Sequence, residues 1–374
     1  MQGYKGNLTR LLQYEIMMQN QHSGYDIIKG IADDKELENY RVCFQKHGTD
    51  RDIENLYWIH RHNLVKANEI YYAMHGQTIA AIYTALPVYF RINGQLIQCM
   101  QSIDTITDED HRGKGLFTIL ANRLFDEALA NGFALIYGFP NENSAPGFFK
   151  KLKWNSFGEA PFLIKPINYF YFVKKFLNRN KQKDFSSTNY LFNAPLSYST
   201  NDHSIIKPIQ AFESDYEAIW QKASMSMHVC VDRSAAYMNW RFIQKPAEHY
   251  YRYGIYIQDE LAGVVVFSIK NKHDGLIGYI MELIYDPSKP AAGKALMAFA
   301  NRMFKKQQVD VVLTWCLPHS FNYTCYRSSG YYVLPEKLRP QKLYLGARVF
   351  DEKLQSTVKD IRNWYISYSD SDTA

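Results

Sequence analysis

The sequence predicts a mixed α/β protein made of two successive copies of one layout, each a mostly antiparallel twisted sheet flanked by helices. Three observations predict it. Strand-like and helix-like segments alternate along the chain. Asn93-Gly94, the strongest short signal for a hairpin, sits between two long alternating runs. Landmarks of the first half recur in the second at equal separations. The 374 residues also exceed one ordinary core, so two domains are expected.

Taken in order, YDIIKG (25–30) reads as a short strand, and DKELENYRVCFQKHG and DIENLYWIHRHN as amphipathic helices. EIYYAMHG, TIAAIYTALPVYFRI and QLIQCMQSIDTIT read as strands. GLFTILANRLFDEALANG has a helical pattern closed by Gly132. FALIYGF has the length of a buried strand, SAPGFFKKLKW reads as a short helix with Pro146 in its first turn, and PFLIKPI as a closing strand. Residues 168–200 pass from aromatic to basic to Ser/Thr-rich. They read as a linking helix and loop, with a membrane-surface segment at 168–185 as the alternative. Trp240, Tyr253 and Gly263 then repeat the separations of 13 and 23 residues set by Trp58, Tyr71 and Ala81. Asp286 precedes Pro318 by 32, as Asp108 precedes Pro140, and Tyr332 follows Pro318 by 14, as Trp154 follows Pro140. The expected partition is 1–167, a linker at 168–200, 201–350, and a C-terminal helix and tail at 351–374.

Composition bounds the function. A net charge of +6 is mild for this length and favours an anionic ligand over a nucleic acid. The five cysteines are scattered without metal spacing, so no metal site is expected and the thiols read as reduced. The first twenty residues lack a signal-type apolar core and no run is long enough to span a bilayer, which predicts a cytoplasmic protein.

DEDHRGKGLFTIL (108–120) carries the chemistry. A helix opening here leaves its first N–H groups without intrahelical partners at the positive end of its dipole. Gly113 and Gly115 let a bulky anion approach the backbone, and Arg112 and Lys114 add cationic donors. Residues 112–118 are therefore expected to clasp a phosphate or pyrophosphate. A Walker loop is excluded because Asp108 stands where its earlier glycine belongs. A Rossmann fingerprint is excluded by the missing third glycine and by the strands that precede the loop.

The arrangement resembles the GNAT N-acetyltransferase superfamily, whose pyrophosphate loop reads Q/R-x-x-G-x-G/A. Arg112 and Gly115 match, and Phe117 replaces the small residue. NENSAPGFFKKLKW resembles the family's N-x-x-A…Y-x-K-x-G-F helix, with Phe149 where a tyrosine is usual and Lys153-Trp154 for Gly-Phe. The resemblance covers residues 24–165. It implies acetyl-CoA, or another acyl-CoA, held by Thr105, Ile106 and Thr107 of the central strand, by Arg112, Gly113, Lys114, Gly115, Leu116, Phe117 and Thr118, and by Asn141, Asn143 and Phe149. The acyl group would pass to a primary amine, with strand N–H groups near Thr105–Thr107 stabilising the oxyanion. Phe149 stands in place of the family's usual acid, a tyrosine, so either Tyr137 substitutes or the thiolate leaves with help from solvent; Asp104, Glu142 and His111 are the candidate bases.

NYTCYRSSGYY (322–332) matches the Y-x-x-x-G-F/Y ending through Tyr326, Gly330 and Tyr331, but Pro290 stands where the loop arginine belongs. The second copy is thus expected to be degenerate and to shape the acceptor site. WRFIQKPAEHYYRY (240–253) resembles stretches of tandem GNAT proteins of bacterial surface-polysaccharide synthesis. That implies an amino-sugar acceptor, small or carrier-linked, met by Trp240, Arg241 and Tyr326. Two competing readings are a transfer-RNA-dependent aminoacyl transferase of the peptidoglycan-bridge type and a non-catalytic CoA-binding module.

Overall fold

The computed structural model describes residues 21–22, 24–177, 187–200, 204–272, 274–335, 339 and 342–371. The reading of the first twenty residues, and the end of the 168–185 segment, lie outside the described residues. The first half runs β1 (Gln21–His22), β2 (Tyr25–Lys29), α1 (Asp34–Lys46), α2 (Ile53–His60), β3 (Glu69–His75), β4 (Thr78–Ile92), β5 (Gln95–Thr107), α3 (Leu116–Ala130), β6 (Leu135–Gly138), β7 (Asn155–Glu159) and β8 (Phe162–Pro166). Aspartates start both early helices. Asp33 accepts from the Glu36 N–H at 2.8 Å and Asp52 from the Asn55 N–H at 3.0 Å, filling donors a helix start leaves open. Asn93 (φ 48°) and Gly94 (φ 79°) are both left-handed, the geometry that lets a two-residue turn follow the twist of β4 and β5.

Helix α4 (Tyr169–Leu177) and β9 (Ser187–Asn189) lead into the second half. There follow β10 (Tyr198–Ser199), β11 (Ile205–Pro208), α5 (Ser214–Ser224), β12 (Val229–Val231), α6 (Ala235–Phe242), β13 (Tyr251–Ile257), β14 (Glu260–Lys272), β15 (Gly275–Tyr285), α7 (Pro290–Lys306), β16 (Val311–Trp315), α8 (Tyr323–Ser328), β17 (Tyr332–Val333) and β18 (Tyr344–Val349). The two halves form two mixed sheets, ordered β1-β2-β3-β4-β5-β6-β18-β7 and β10-β11-β13-β14-β15-β16-β8-β17. Each is antiparallel apart from one parallel pair at the same place, β5–β6 and β15–β16. The repeated spacings mark repeated bonds. The Asp108 N–H donates to the Ala80 carbonyl at 2.9 Å and the Asp286 N–H to that of Ala262 at 3.0 Å. A lysine from the last turn of α1 or of α5 pairs with each carboxylate: Lys46 with Asp108 at 2.5 Å, Lys222 with Asp286 at 2.8 Å.

The sheets cross the partition expected at 167 and 350. β8, the closing strand of the first half, lies between β16 and β17 of the second sheet. β18, from the second half, lies between β6 and β7 of the first. Each half gives its last long strand to the other. An apolar cluster containing Trp58, Phe90, Tyr137, Trp240, Trp315 and Trp364 runs through both halves, and separate clusters sit under α3 and under α7.

The end of the chain is interior. Residues 364–371 are buried. Arg233, with no exposed surface, pairs with Glu282 at 3.1 Å and with Asp370 at 2.5 Å. Burial of an unpaired guanidinium would be prohibitive, so the two carboxylates and the Ser367 and Ser369 hydroxyls at its Nη2 make the site tenable. This network ties the tail to β15.

Candidate functional site

β5 and β6 pair only at Met100–Ile136 and Gln101–Tyr137. β6 ends one residue later, while β5 continues six more, so the strands part and leave a gap in the sheet. At the parting Ile103 and Asp104 together stand opposite Thr84, a bulge that leaves one residue outside the ladder. A cavity of about 780 Å³ opens there. Ser102–Thr107 form one wall, Gly138–Asn141, Asn143, Ser144 and Pro146–Phe148 much of the other, and Arg112 and Phe117 the end nearest α3. Leu343, next to the exchanged strand β18, closes the lining.

At that end the chain opens a helix with no side-chain cap. Asp108 caps a short turn over Glu109–His111, and Gly113 (φ 79°) and Gly115 (φ 78°) take left-handed conformations on the way into α3. Any other residue there pays for a positive φ. Among the described residues no acceptor within the protein takes the main-chain N–H groups of Gly113, Lys114, Gly115, Leu116 or Phe117; the internal bonds resume with Thr118 and Ile119, both onto the Gly115 carbonyl. Gly113–Gly115 are exposed. These are the physical elements of an anion site: free donors, a helix dipole and no Cβ in the way.

Phe117, the bulky replacement in the loop, is accommodated by Gly147. A Cβ at 147 would lie 2.9 Å from the Phe117 ring, which packs edge-on against Phe148 at 5.2 Å. Residues Gly147–Lys151 form one wide turn of π-helix. That turn brings Phe148 to the cavity and puts Phe149 against Gly346 and Tyr344 of β18. Phe149 is therefore absent from the lining, and the aromatic position facing the gap is Phe148, which alignment to a regular helix misses.

The other expected residues divide. Thr105, Ile106, Thr107, Arg112, Asn141 and Asn143 line the cavity. The Asn141 carboxamide oxygen accepts from the Asn143 and Ser144 N–H groups at 3.0 and 3.1 Å, so that oxygen shapes the turn. Arg112 is exposed and meets Glu109 at 3.2 Å. The Lys114 ammonium donates to the Tyr25 hydroxyl at 2.9 Å, which also meets His111 Nδ1 at 2.8 Å. Asp104 lines the cavity, but Arg51 grips it through Nε (3.0 Å) and Nη2 (2.5 Å), and the Tyr40 hydroxyl donates to it at 2.8 Å. It anchors α1 and the segment before α2 to the mouth. Glu142 is outside the lining and pairs with Lys342 at 3.2 Å on the surface.

A second cavity of about 230 Å³ adjoins the first through Arg51, Ile103 and Asp104. It holds Tyr137, whose hydroxyl donates to Gln101 at 3.2 Å, along with Trp58, Trp240, Arg241, Ser369 and Ser371. Arg241 is buried, and it donates to the carbonyls of Ser369 (3.1 Å) and Ser371 (2.9 Å) and to the Tyr250 hydroxyl (2.9 Å). Its guanidinium holds the tail in place as the wall of this cavity. Tyr326 is in neither cavity; it is buried under α7 and burial pushes its hydroxyl well above the ordinary tyrosine range. The glycine of the second loop, Gly293, serves packing: the Tyr285 ring lies where its Cβ would be. Sequence reading missed Gln101, Phe148 and the tail. SYSDS is a polar run, and only the arginines that bind it reveal that it is interior.

Among the described residues no group of three or more His, Cys, Asp or Glu is placed to hold a metal ion, and no helix is long and apolar enough to cross a membrane. All five cysteines are buried and free.

Residues 33–157 match the family model described as an acetyltransferase (GNAT) domain. No curated protein matches the chain. Among solved structures, a GCN5-related N-acetyltransferase from Anabaena variabilis is 15% identical with a TM-score of 0.59, over 87% of this chain and 73% of that one. Saccharomyces cerevisiae N-myristoyltransferase with bound myristoyl-CoA is 12% identical with a TM-score of 0.56, over 87% and 83%. An Enterococcus faecalis protein described as a probable N-acyltransferase is 12% identical with a TM-score of 0.56, over 87% and 72%. The two-sheet fold is thus similar to that of N-acyltransferases, and the GNAT acetyltransferase domain at 33–157 makes the chain an acyltransferase by domain type.

Proposed function

We propose that the protein is a tandem GNAT N-acyltransferase that moves an acyl group from an acyl-CoA to a primary amine. One observation carries the reading: five consecutive N–H groups without a partner among the described residues open α3 at the end of a cleft where two strands part. The amides of Gly113–Phe117 bind the diphosphate. The pantetheine arm lies in the gap against Ser102–Thr107, which brings the thioester to the bulge at Ile103–Asp104. The acceptor enters from the second cavity, between Tyr137 and the Trp58–Trp240 pair.

In the reaction the neutral amine nitrogen attacks the thioester carbonyl, and N–H groups of β5 at the bulge stabilise the developing oxyanion. The C–S bond then breaks, the amine proton leaves to solvent or a side chain, and the thiolate takes a proton. Tyr137, which lines the second cavity and whose hydroxyl donates to Gln101, is the group we assign to that last step. Asp104, held by Arg51 and Tyr40, positions the mouth. An amino sugar suits a cavity walled by aromatics, and the buried free thiols suit the cytoplasm.

Calorimetric titration with acetyl-CoA and longer acyl-CoAs, followed by thiol release over a panel of amino sugars and polyamines, tests the reading. CoA binding lost in Gly115→Val, together with amine-dependent thiol release, supports it. Absence of CoA binding with retention on transfer RNA overturns it in favour of an aminoacyl transferase. CoA binding without turnover on any amine leaves a binding module.

A further inference from the structure

The second cavity has an uneven set of charges in its walls. Among the described residues lining it, Arg51, Arg241 and Lys245 are cations and Asp104 is the one acid. Asp104 is engaged: Arg51 bonds both of its oxygens, and the Tyr40 hydroxyl donates to it as well. Arg51 and Asp104 offset each other, so the remaining charge is positive and comes from Arg241 and Lys245. The buried Arg241 guanidinium bonds the carbonyls of Ser369 and Ser371 and the Tyr250 hydroxyl, all neutral oxygens. Lys245 is half-buried, with its ammonium over the Trp58 ring. The other acids nearby sit outside the lining. Glu248 accepts from Lys270 at 3.0 Å, and its charge also reaches Lys245 and Arg241. Glu282 and Asp370 lie behind the tail and pair with Arg233.

A second observation is independent of charge. Trp240 and Asn55 both line this cavity. The Trp240 indole N–H and the Asn55 carboxamide oxygen are buried without a hydrogen-bond partner among the described residues. Buried polar atoms are rarely left so, because each unmade bond forfeits the hydration of that group. An indole nitrogen can only donate, so it calls for an acceptor. The carboxamide oxygen calls for a donor, which an amine or a hydroxyl supplies.

We propose that the acceptor is a small primary amine that also carries an oxyanion, a carboxylate or a phosphate, and that Lys245, Arg241 and the Trp240 N–H hold that oxyanion in the second cavity. The proposal rests on the acyl-transfer reading and names the class of amine. A volume of about 230 Å³ is below that of drug-sized pockets and suits a molecule the size of an amino acid or a sugar phosphate. Polyamines are disfavoured by the same cations, since a second ammonium would meet Arg241 and Lys245 where water screens little.

Matched pairs of amines test it: glucosamine 6-phosphate against glucosamine, and β-alanine against its amide. Calorimetry on the full chain saturated with CoA reads affinity while the α3 amides are occupied. In at least one pair the acidic member should bind about tenfold or more tighter, the range a charged hydrogen bond supplies, and that pair tells phosphate from carboxylate. Thiol release from acetyl-CoA should show the same preference in KM. Lys245→Gln should remove most of the preference, and Trp240→Phe, which keeps a ring and deletes the N–H, should reduce it; melting temperatures check that both variants fold. Equal binding of the two members in both pairs, or a preference that survives both substitutions, overturns the proposal. A preference lost in Gly115→Val and kept in Lys245→Gln places the anion at α3 and overturns it as well. A preference that Lys245→Gln abolishes, without thiol release on any amine, upholds the oxyanion site and removes the acyl-transfer reading.

Discussion

Trp58 and Trp240 stack face to face, with ring centroids 4.0 Å apart and planes 10° from parallel, and the Trp58 indole N–H donates to the Trp240 carbonyl at 3.0 Å. They occupy the same place in the two copies, one on α2 and one on α6. The repeat therefore meets itself at the wall of the second cavity, and the ammonium of Lys245 lies over the Trp58 ring at 5.6 Å.

Trp58→Ala should cost about 3–5 kcal/mol of stability, since both rings are buried. A double-mutant cycle with Trp240→Ala, followed by denaturant unfolding, should return a coupling of about 1 kcal/mol. Additive losses would mean that the two rings fill space independently.

Arg112→Ala should weaken CoA binding about tenfold or more, the loss of a charged donor, while leaving the melting temperature unchanged because the side chain is exposed. Calorimetry and thermal unfolding on one preparation read both quantities. Unaltered affinity would remove Arg112 from the site.

Gly147→Ala should destabilise the protein by about 1–3 kcal/mol, because the new methyl meets the Phe117 ring. In a Phe117→Ala background the same substitution should be nearly neutral. Equal costs in both backgrounds would show that Gly147 is needed for its backbone and not for the ring.

His60 is buried beside Tyr40, with no partner for either ring nitrogen among the described residues. Burial lowers its pKa from 6.5 to about 4, against the opposing charge of Asp104. The unfolded chain takes up a proton between those values that the folded protein refuses, so stability falls as pH drops from about 6.5 toward 4, by up to about 3 kcal/mol. The difference in urea midpoint between wild type and His60→Leu should show this slope, and parallel profiles would contradict it.

Much of the layout is legible in the sequence because it depends on local pattern. Asn93-Gly94 names its own turn, Gly132 (φ 80°) its own stop, and the separations from Trp58 and Trp240 mark equivalent elements. The unpaired amides follow from glycines at a helix start. What escapes depends on partners distant in sequence. FLIKP shows that β8 has an apolar face but not which sheet will receive it. Arg241 reads as a contact to the acceptor or as surface charge until the Ser369 and Ser371 carbonyls are found against it. Phe149 and Phe148 exchange roles because one extra residue in a single turn rotates the chain.

The exchange of β8 and β18 also bears on how the chain is made. The cleft belongs almost wholly to residues before 152, yet Leu343 completes its lining and β18 fills the place between β6 and β7. During synthesis the first sheet therefore waits, with an open seam, until nearly two hundred further residues have left the ribosome. A fragment cut at the midpoint would expose that seam permanently, and ligand capture should emerge only with the full-length polypeptide.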